Sequence, residues 1–349
     1  MTVTLPDIIA ARRRLWGIVR ETPLEPNEEF ADYPGPVYLK LENYQKTGSF
    51  KIRGAVNRIA TLTEQEKAAG VITASSGNHA QGVGYAARRF GVKAKIFVPE
   101  NTPATKIAAT RRYGAKVIVA GRDYDAAAAL AYTAAGASGM TFVHAYGDSR
   151  VIAGQGTVGL EMLLEKPDLA AIVVPVGGGG LIAGTAVAAK TINPAIQIYG
   201  VQPAASPPWY YALRGEDSGA MEYGDTLADG LAGGIDGAPF ELVRQFVDDI
   251  VLVEEAAIVA AIRWFAKKHH MMVEGAGAVG VAALQSGRLR PDGPVGVIVS
   301  GGNIDPGWFA AVLGQGKSGL FLPRKSSLEQ EPAGSGGETH HSAAVPAPE

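Results

Sequence analysis

The sequence predicts an α/β protein built on parallel sheets covered by helices. Two observations carry that expectation. From Gly70 onward, short β-branched runs alternate regularly with longer helical stretches, the pattern of strand–helix–strand units. Runs such as Ala171 to Val176 and Val295 to Ser300 carry no charge, as strands buried on both faces do.

The elements follow in order. Pro6 to Val19 reads as a helix with Ile8, Ile9, Leu15 and Ile18 on its apolar side. Arg20 to Leu24 reads as a loop, since Pro23 biases its predecessor towards extended backbone. Val37, Leu39 and Leu41 alternate with Tyr38, Lys40 and Glu42 as a strand does. A polar turn, Gln45 to Ser49, precedes Phe50 and a helix that opens at Lys51. Strands are expected at Val71 to Ala74, Lys95 to Val98, Ala115 to Val119 and Thr141 to Val143. Between them lie helices at Asn78 to Phe90, Pro103 to Tyr113 and Asp123 to Ala135. A second set comprises a helix from Val151 to about Leu164, a strand at Ala171 to Val176, a helix at Leu181 to Lys190 and a strand at Ile196 to Val201. Pro203 to Gly237 is rich in Gly and Pro and reads as irregular. Helices are expected at Phe240 to Phe246, Glu254 to His269 and Glu274 to Gln285, before the last strand. Residues 1–69 with 148–320 are expected to form a large domain and 70–147 a smaller one. The remaining 321–349 is too poor in apolar residues to offset chain entropy and should be disordered.

Composition excludes several classes of function. A length of 349 residues allows two modest domains, and a net charge of −2 offers nothing to nucleic acid or an anionic membrane. With no cysteine, disulfides, thiolate catalysis and cysteine metal sites are excluded, which suits a cytoplasmic protein. The N-terminus lacks the apolar core of a signal peptide. Ala171 to Ala189 is uncharged, but Pro175 and four consecutive glycines make a strand, a turn and a helix a better reading than a membrane span. The six histidines form no metal-binding pattern, so no metal is expected.

Four strand-to-helix or strand-end loops offer chemistry. Lys51 stands beside Phe50 at a helix N-terminus, where the dipole and partial burial disfavour its charged form. A neutral amine is what a Schiff base with an aldehyde cofactor needs; the alternative is a solvated first-turn lysine. Gly177-Gly178-Gly179-Gly180 leaves backbone N–H groups free to wrap an anion at the helix that begins with Leu181. The next strand ends in Gln202 rather than a ribose-binding acid, so a terminal phosphate fits better than a dinucleotide. Ser75-Ser76-Gly77-Asn78-His79 is a second anion-binding turn or an ordinary Ser cap. Ser300-Gly301-Gly302-Asn303 closes the last strand, where ligands of open α/β sheets sit.

Taken together, Thr47, Ser49, Phe50, Lys51, Arg53, Gly54 and Ala55, with Glu42 upstream, resemble the cofactor-lysine signature of the fold-type II pyridoxal-phosphate enzymes, in their serine/threonine dehydratase branch. The resemblance covers roughly residues 6–315. It implies two parallel-sheet α/β domains, as in the tryptophan synthase β subunit, with the active site in the cleft between them. It implies pyridoxal 5′-phosphate bound by Phe50, Lys51, Asn78, the four glycines with Leu181, and Ser300. Ser75, Ser76, Gly77, Asn78 and His79 would bind the substrate carboxylate, and Asn78 would also reach the ring hydroxyl. Ser76 matches the residue that exchanges a proton opposite the lysine. Ser300 would hydrogen-bond the pyridine nitrogen; a hydroxyl does not keep that nitrogen protonated, which favours loss of a β-substituent over transamination. Ile152 to Thr157, Thr226 to Gly230 and Glu274 also look like family segments, although Glu274 equally suits a helix N-terminus.

Departures from the family are local. Metal-binding members, notably serine racemases, carry acids where this chain has Gln202 and Pro208, so that cation site is expected to be lost or changed. The family's His-Pro-Phe-Asp-Asp is here His144-Ala145-Tyr146-Gly147-Asp148, which makes Tyr146 a candidate reader of the substrate side chain. No added regulatory domain is expected. The reading is β-elimination of a small β-hydroxy amino acid, threonine or serine, to a 2-oxo acid and ammonia, with Lys51 and Ser76 catalytic, in a homodimer or homotetramer. Alternatives are an amino-acid racemase, an ammonia-lyase for 3-hydroxyaspartate or phenylserine, a β-replacement synthase and a non-catalytic binding protein.

Overall fold

A computed structural model describes residues 2–30, 32–217, 223–235 and 237–314. The expected disordered tail, 321–349, lies outside the described residues. Among the described residues there are ten strands: β1 Leu24–Asn27, β2 Val37–Leu41, β3 Val71–Ala74, β4 Ala94–Val98, β5 Lys116–Val119, β6 Thr141–Phe142, β7 Ala171–Pro175, β8 Gln197–Pro203, β9 Asp249–Val253 and β10 Val295–Val299. They form a six-stranded sheet in the order β1-β2-β10-β7-β8-β9 and a four-stranded sheet in the order β5-β4-β3-β6. Every pairing is parallel except that of β1, which lies antiparallel to β2 at the edge.

Burial explains the uncharged strand runs. On β7, Ile172 and Val174 join one core cluster while Ala171 and Val173 join another. On β10, Ile298 faces the first cluster and Val295, Val297 and Val299 the second. Period-2 side chains thus meet helices on both faces, and no polar position remains. The four-stranded sheet is covered likewise, by a cluster with Ile52, Val56 and Val83 and a smaller one with Ala131.

Several elements differ from the sequence reading. β1 replaces part of an expected loop; Glu25 and Pro26 hide it, and an edge strand tolerates both. β9 was not expected, although Ile250 to Val253 is a short β-branched run. Helices at Glu64–Ala69, Pro208–Ala212 and Pro306–Gly314 are too short for a clear period. The first helix ends at Leu15 rather than Val19, because the chain turns out at Gly17 with φ 71°. No helix among the described residues is long and apolar enough to cross a membrane.

One helix, Lys51–Ala60, positions the candidate site. It packs against both Asn78–Phe90 and Ser149–Glu165, and so touches helices belonging to each sheet. Its approach to Ser149–Glu165 is backbone to backbone: a Cβ on Gly154 would stand 2.6 Å from Gly54 Cα and 2.7 Å from the Arg53 carbonyl oxygen. Beside this contact, Gln155 Oε1 accepts the Gly54 N–H at 3.0 Å, satisfying a first-turn donor that Phe50 cannot cap. Because backbone cannot yield as a side chain can, Gly154→Ala should destabilise the protein by about 1–3 kcal/mol. Urea unfolding checks this; an unchanged midpoint would show that the helices part without cost.

Candidate active site

Four loops converge where the strands of the two sheets end. The Lys51 loop is stitched to the end of β10: Phe50 N–H donates to Ser300 O at 3.1 Å, Gly302 N–H donates to Gly48 O at 2.9 Å, and Ser49 bridges Gly301. Ser75 to His79 follows β3 and opens the Asn78–Phe90 helix. Its turn is closed internally, with Ser75 Oγ accepting the Gly77 N–H at 3.3 Å. Gly177 to Gly180 follows β7 and opens the Gly180–Ile192 helix. The His144 to Tyr146 segment crosses above it: Tyr146 packs its ring where a side chain on Gly178 would project, and its backbone lies against Gly180.

Lys51 Nζ reaches into this convergence and donates to Ala145 O at 3.1 Å, with the Phe50 ring centroid 5.3 Å away. The residue keeps some surface open to the cleft, but its amine end is enclosed by protein. Burial lowers its pKa to about 8, and Glu274 offsets part of that fall. A useful fraction of neutral amine therefore exists near neutral pH.

Glu274 does more than begin a helix. Burial first, and Asp229 second, raise its carboxyl pKa to about 7, against the pull of the Asn78 amide, Lys106 and the Asn303 backbone. Asn78 Nδ2 donates to Glu274 Oε1 at 2.7 Å, while Asn78 Oδ1 accepts from Asn303 Nδ2, also at 2.7 Å. The Asn78 amide is thus fixed from both ends. Nearby, Lys106 Nζ meets Asp229 Oδ2 at 3.0 Å and joins a helix of the four-stranded sheet to the Asp229–Leu231 turn. Sequence reasoning missed this ion pair and the Asn303 clamp, since neither has a local signal.

His79 turns inward. Its Nε2–H donates to Val143 O at 3.0 Å, and burial, then the Lys51 charge, lower its pKa to about 3. The imidazole is neutral, so only the backbone of His79 remains for a substrate carboxylate. Tyr146 was expected beside a substrate side chain; its ring sits on the glycine loop, edge-on to His144 at 4.7 Å. Gln202 is fully buried and neutral, donating to Val176 O at 3.3 Å and accepting the Tyr210 N–H at 3.1 Å. No group of three His, Cys, Asp or Glu side chains arranged to hold a metal occurs among the described residues.

The residues fit the aldehyde cofactor with a terminal phosphate that the sequence implied. The amine of Lys51 suits an aldehyde. Gly177 to Gly180 offers a side-chain-free cradle at a helix N-terminus for a phosphate, and Ser300, 2% exposed, ends β10 as a hydroxyl partner for a ring nitrogen.

Comparison with known proteins agrees. A family model described as "Pyridoxal-phosphate dependent enzyme" matches residues 15–301. The L-threonine ammonia-lyase of Thermotoga maritima is 45% identical over 321 residues, covering 91% of this chain and 80% of that one. The catabolic L-threonine dehydratase TdcB of Escherichia coli is 40% identical over 319 residues, covering 90% and 97%. The solved structure of maize serine racemase superposes with a TM-score of 0.84 at 34% identity, covering 89% of this chain and 97% of that one. The chain belongs to the pyridoxal-phosphate dependent enzymes, in the fold-type II class, and its cofactor is pyridoxal phosphate.

The raised Glu274 pKa has a signed consequence. Between the ordinary value of 4.5 and about 7, the folded chain holds a proton that the unfolded chain has released. Stability from this group therefore falls as pH rises through that window. Glu274→Gln keeps an acceptor for Asn78 without titrating, so the cofactor-free variant should lose less stability than the wild type between about pH 5 and pH 8, by up to about 3 kcal/mol. Parallel urea-unfolding profiles against pH would contradict the buried-acid account.

Proposed function

We propose that this protein is an ammonia-lyase that converts L-threonine, and serine less selectively, to a 2-oxo acid and ammonia. The observation that carries the reading is the enclosed, low-pKa amine of Lys51, hydrogen-bonded to Ala145 O beside the Tyr146 that covers the glycine loop. Relatives named as L-threonine ammonia-lyase and L-threonine dehydratase support the choice of substrate. We take the six-stranded sheet as the core of the cofactor-binding domain and the four-stranded sheet as that of the substrate-side domain. Assembly as a homodimer or homotetramer in the cytoplasm belongs to the same proposal.

When bound, pyridoxal phosphate supplies an electrophilic carbon for amines and a ring that withdraws electrons from the substrate α-carbon. The rest is the work of the chain. Lys51 holds the cofactor at rest and, once released, takes the α-proton on Nζ as general base. The backbone N–H groups of Ser76, Asn78 and His79, which the Ser75 to Gly77 turn leaves open, would bind the carboxylate at the helix N-terminus and orient the α-hydrogen towards Lys51. Asn78, fixed by Glu274 and Asn303, would hold the ring hydroxyl through its amide. Ser300 offers a neutral partner to the ring nitrogen, which favours departure of the β-hydroxyl over a lasting carbanion. Ser76 donates the proton with which that hydroxyl leaves as water and regains one from solvent; the enamine product, once released, tautomerises and takes up a water to give the 2-oxo acid and ammonia.

A second reading, amino-acid racemisation, is favoured by the 34% identity to maize serine racemase and by Ser76, which the family resemblance makes a second proton carrier opposite Lys51. Two variants separate the readings. Lys51→Ala should abolish 2-oxo acid formation by at least about a thousandfold and remove the yellow colour of the holoenzyme. Ser76→Ala should slow, not abolish, 2-oxo acid release from threonine if elimination dominates. Inverted amino acid from the wild type, with little 2-oxo acid and complete loss in Ser76→Ala, would favour the racemase. Full turnover in Lys51→Ala would overturn both.

A further inference from the structure

The Pro203 to Gly237 stretch, read from sequence as irregular, supplies the support beneath the glycine loop. Trp209 begins a short helix there and is fully buried. Its indole Nε1–H donates to Gly177 O at 2.6 Å. One residue back along the loop, Gln202 Nε2 donates to Val176 O at 3.3 Å, and the other end of the same amide accepts the Tyr210 N–H. Two consecutive loop carbonyls are therefore held from one side by two neutral donors that brace each other through the Trp209-Tyr210 backbone.

That anchorage decides where the N–H groups point. A trans peptide is planar, with its C=O and N–H on opposite sides. Val176 O shares a plane with Gly177 N–H, and Gly177 O shares one with Gly178 N–H. Pulling both carbonyls towards Gln202 and Trp209 turns both N–H groups the other way, to the side occupied by the first turn of the Gly180–Ile192 helix. There the N–H groups of Gly180, Leu181 and Ile182 have no intrahelical acceptor. The loop then passes through Gly179 at φ 84°, a left-handed step that makes successive N–H groups converge. Trp209 fixes this step too, since its ring fills the space a Gly179 side chain would need and stacks on Phe240 at 6.0 Å.

We propose that Trp209 and Gln202 are positioning residues that set the phosphate affinity of the glycine loop by locking the 176–177 and 177–178 peptide planes. The proposal rests on the reading of Gly177 to Gly180 as the phosphate site. Their polar side-chain groups are spent on the loop carbonyls, so they act through the backbone they hold. Their donors are neutral, so the bound phosphate keeps its full attraction for the N–H groups.

The test compares pyridoxal phosphate with pyridoxal, which lacks the phosphate, in titrations of the full-length protein stripped of cofactor. Trp209→Phe keeps the stacked ring and deletes the N–H; Gln202→Met keeps the length and deletes the amide. Each should weaken pyridoxal phosphate binding about tenfold while leaving pyridoxal binding unchanged, the loss expected for one net hydrogen bond transmitted to one ligand group. If Trp209→Phe does not fold, Gln202→Met carries the same comparison. Wild-type preference for pyridoxal phosphate retained in full by the variants would overturn the proposal and leave the phosphate site standing. Equal weakening of both ligands would also overturn it, as a general loss of structure. A wild type that does not distinguish the two ligands would refute the phosphate site itself, and the proposal with it.

Discussion

The position of Lys51 depends on an ionic cluster it never touches. Arg53 is fully buried and spends its guanidinium on two carboxylates: Nε and one terminal nitrogen on Glu42 at 2.9 and 2.8 Å, and both terminal nitrogens on Glu161 at 2.6 and 2.8 Å. Lys40 completes the cluster with 2.9 Å to Glu161 and 2.6 Å to Thr22 O, so two cations face two anions. Burial alone would lower the Arg53 pKa; Glu42 and Glu161 reverse that and hold it charged. Such a cluster gives little net stability, because desolvation consumes most of the Coulomb gain. Its value is angular. Residues two apart on a helix differ by about 200° in azimuth. With Arg53 pinned between β2 and the Ser149–Glu165 helix, Lys51 faces the opposite way, towards the loops at the strand ends. Removing Arg53 would leave the Glu42 carboxylate buried without a cation, at a cost of about 3–5 kcal/mol.

Within the site, the same burial pushes opposite groups towards each other. The amine of Lys51 and the carboxyl of Glu274, ordinarily at 10.5 and 4.5, lie at about 8 and about 7. The Glu274 charge supports the Lys51 ammonium in part, across a region whose burial disfavours both charged forms. Protons can therefore move on and off Lys51 near neutral pH without a large thermodynamic penalty. His79, next to the same amine, is driven the other way to about 3 and serves as a neutral strut between the Asn78–Phe90 helix and Val143. Three titratable groups in one cleft thus take distinct roles from one cause, the low dielectric that the loops create.

How much of this the sequence reveals follows from the range of each interaction. Lys51, the Ser75 to His79 turn and the glycine loop are legible because each is a strand-to-helix junction whose residues act within a few positions of one another. The parallel sheets are legible for the same reason, through uncharged strand runs. Trp209 is not, since its role exists only after β8 returns the chain beneath Gly177, 32 residues earlier. The Lys106–Asp229 pair spans 123 residues and the Asn303–Asn78 clamp 225, and neither leaves a periodic trace. Glu42 and Arg53 stand in the motif, but Glu161 and Lys40 read as ordinary surface charges until packing brings them in. β1, at one edge of the six-stranded sheet, carries a weak apolar signal because its two central residues are exposed, whereas β9 at the other edge is apolar but only five residues long.

The departures from the family's usual pattern acquire a common logic around the glycine loop. Tyr146 stands where the phenylalanine of the usual motif would be, and its ring covers Gly178 from the side of the small sheet's loops. Trp209 lies against Gly179 from below, with Gln202 beside it. A loop held between two aromatic rings has no room for a Cβ at either position, which explains the need for glycine at both. At Gly177 the neighbouring Gly230 carbonyl stands 3.1 Å from where a Cβ would be, which makes that position tight as well. Dispersion and two hydrogen bonds to neutral donors then do what charge would do less selectively: they stiffen the loop without competing with an anion for its N–H groups. Tyr146 and Gln202, which depart from the pattern the family resemblance implies, thus both pack on the glycine loop, whereas Lys51, Ser76, Asn78 and Ser300 keep that pattern.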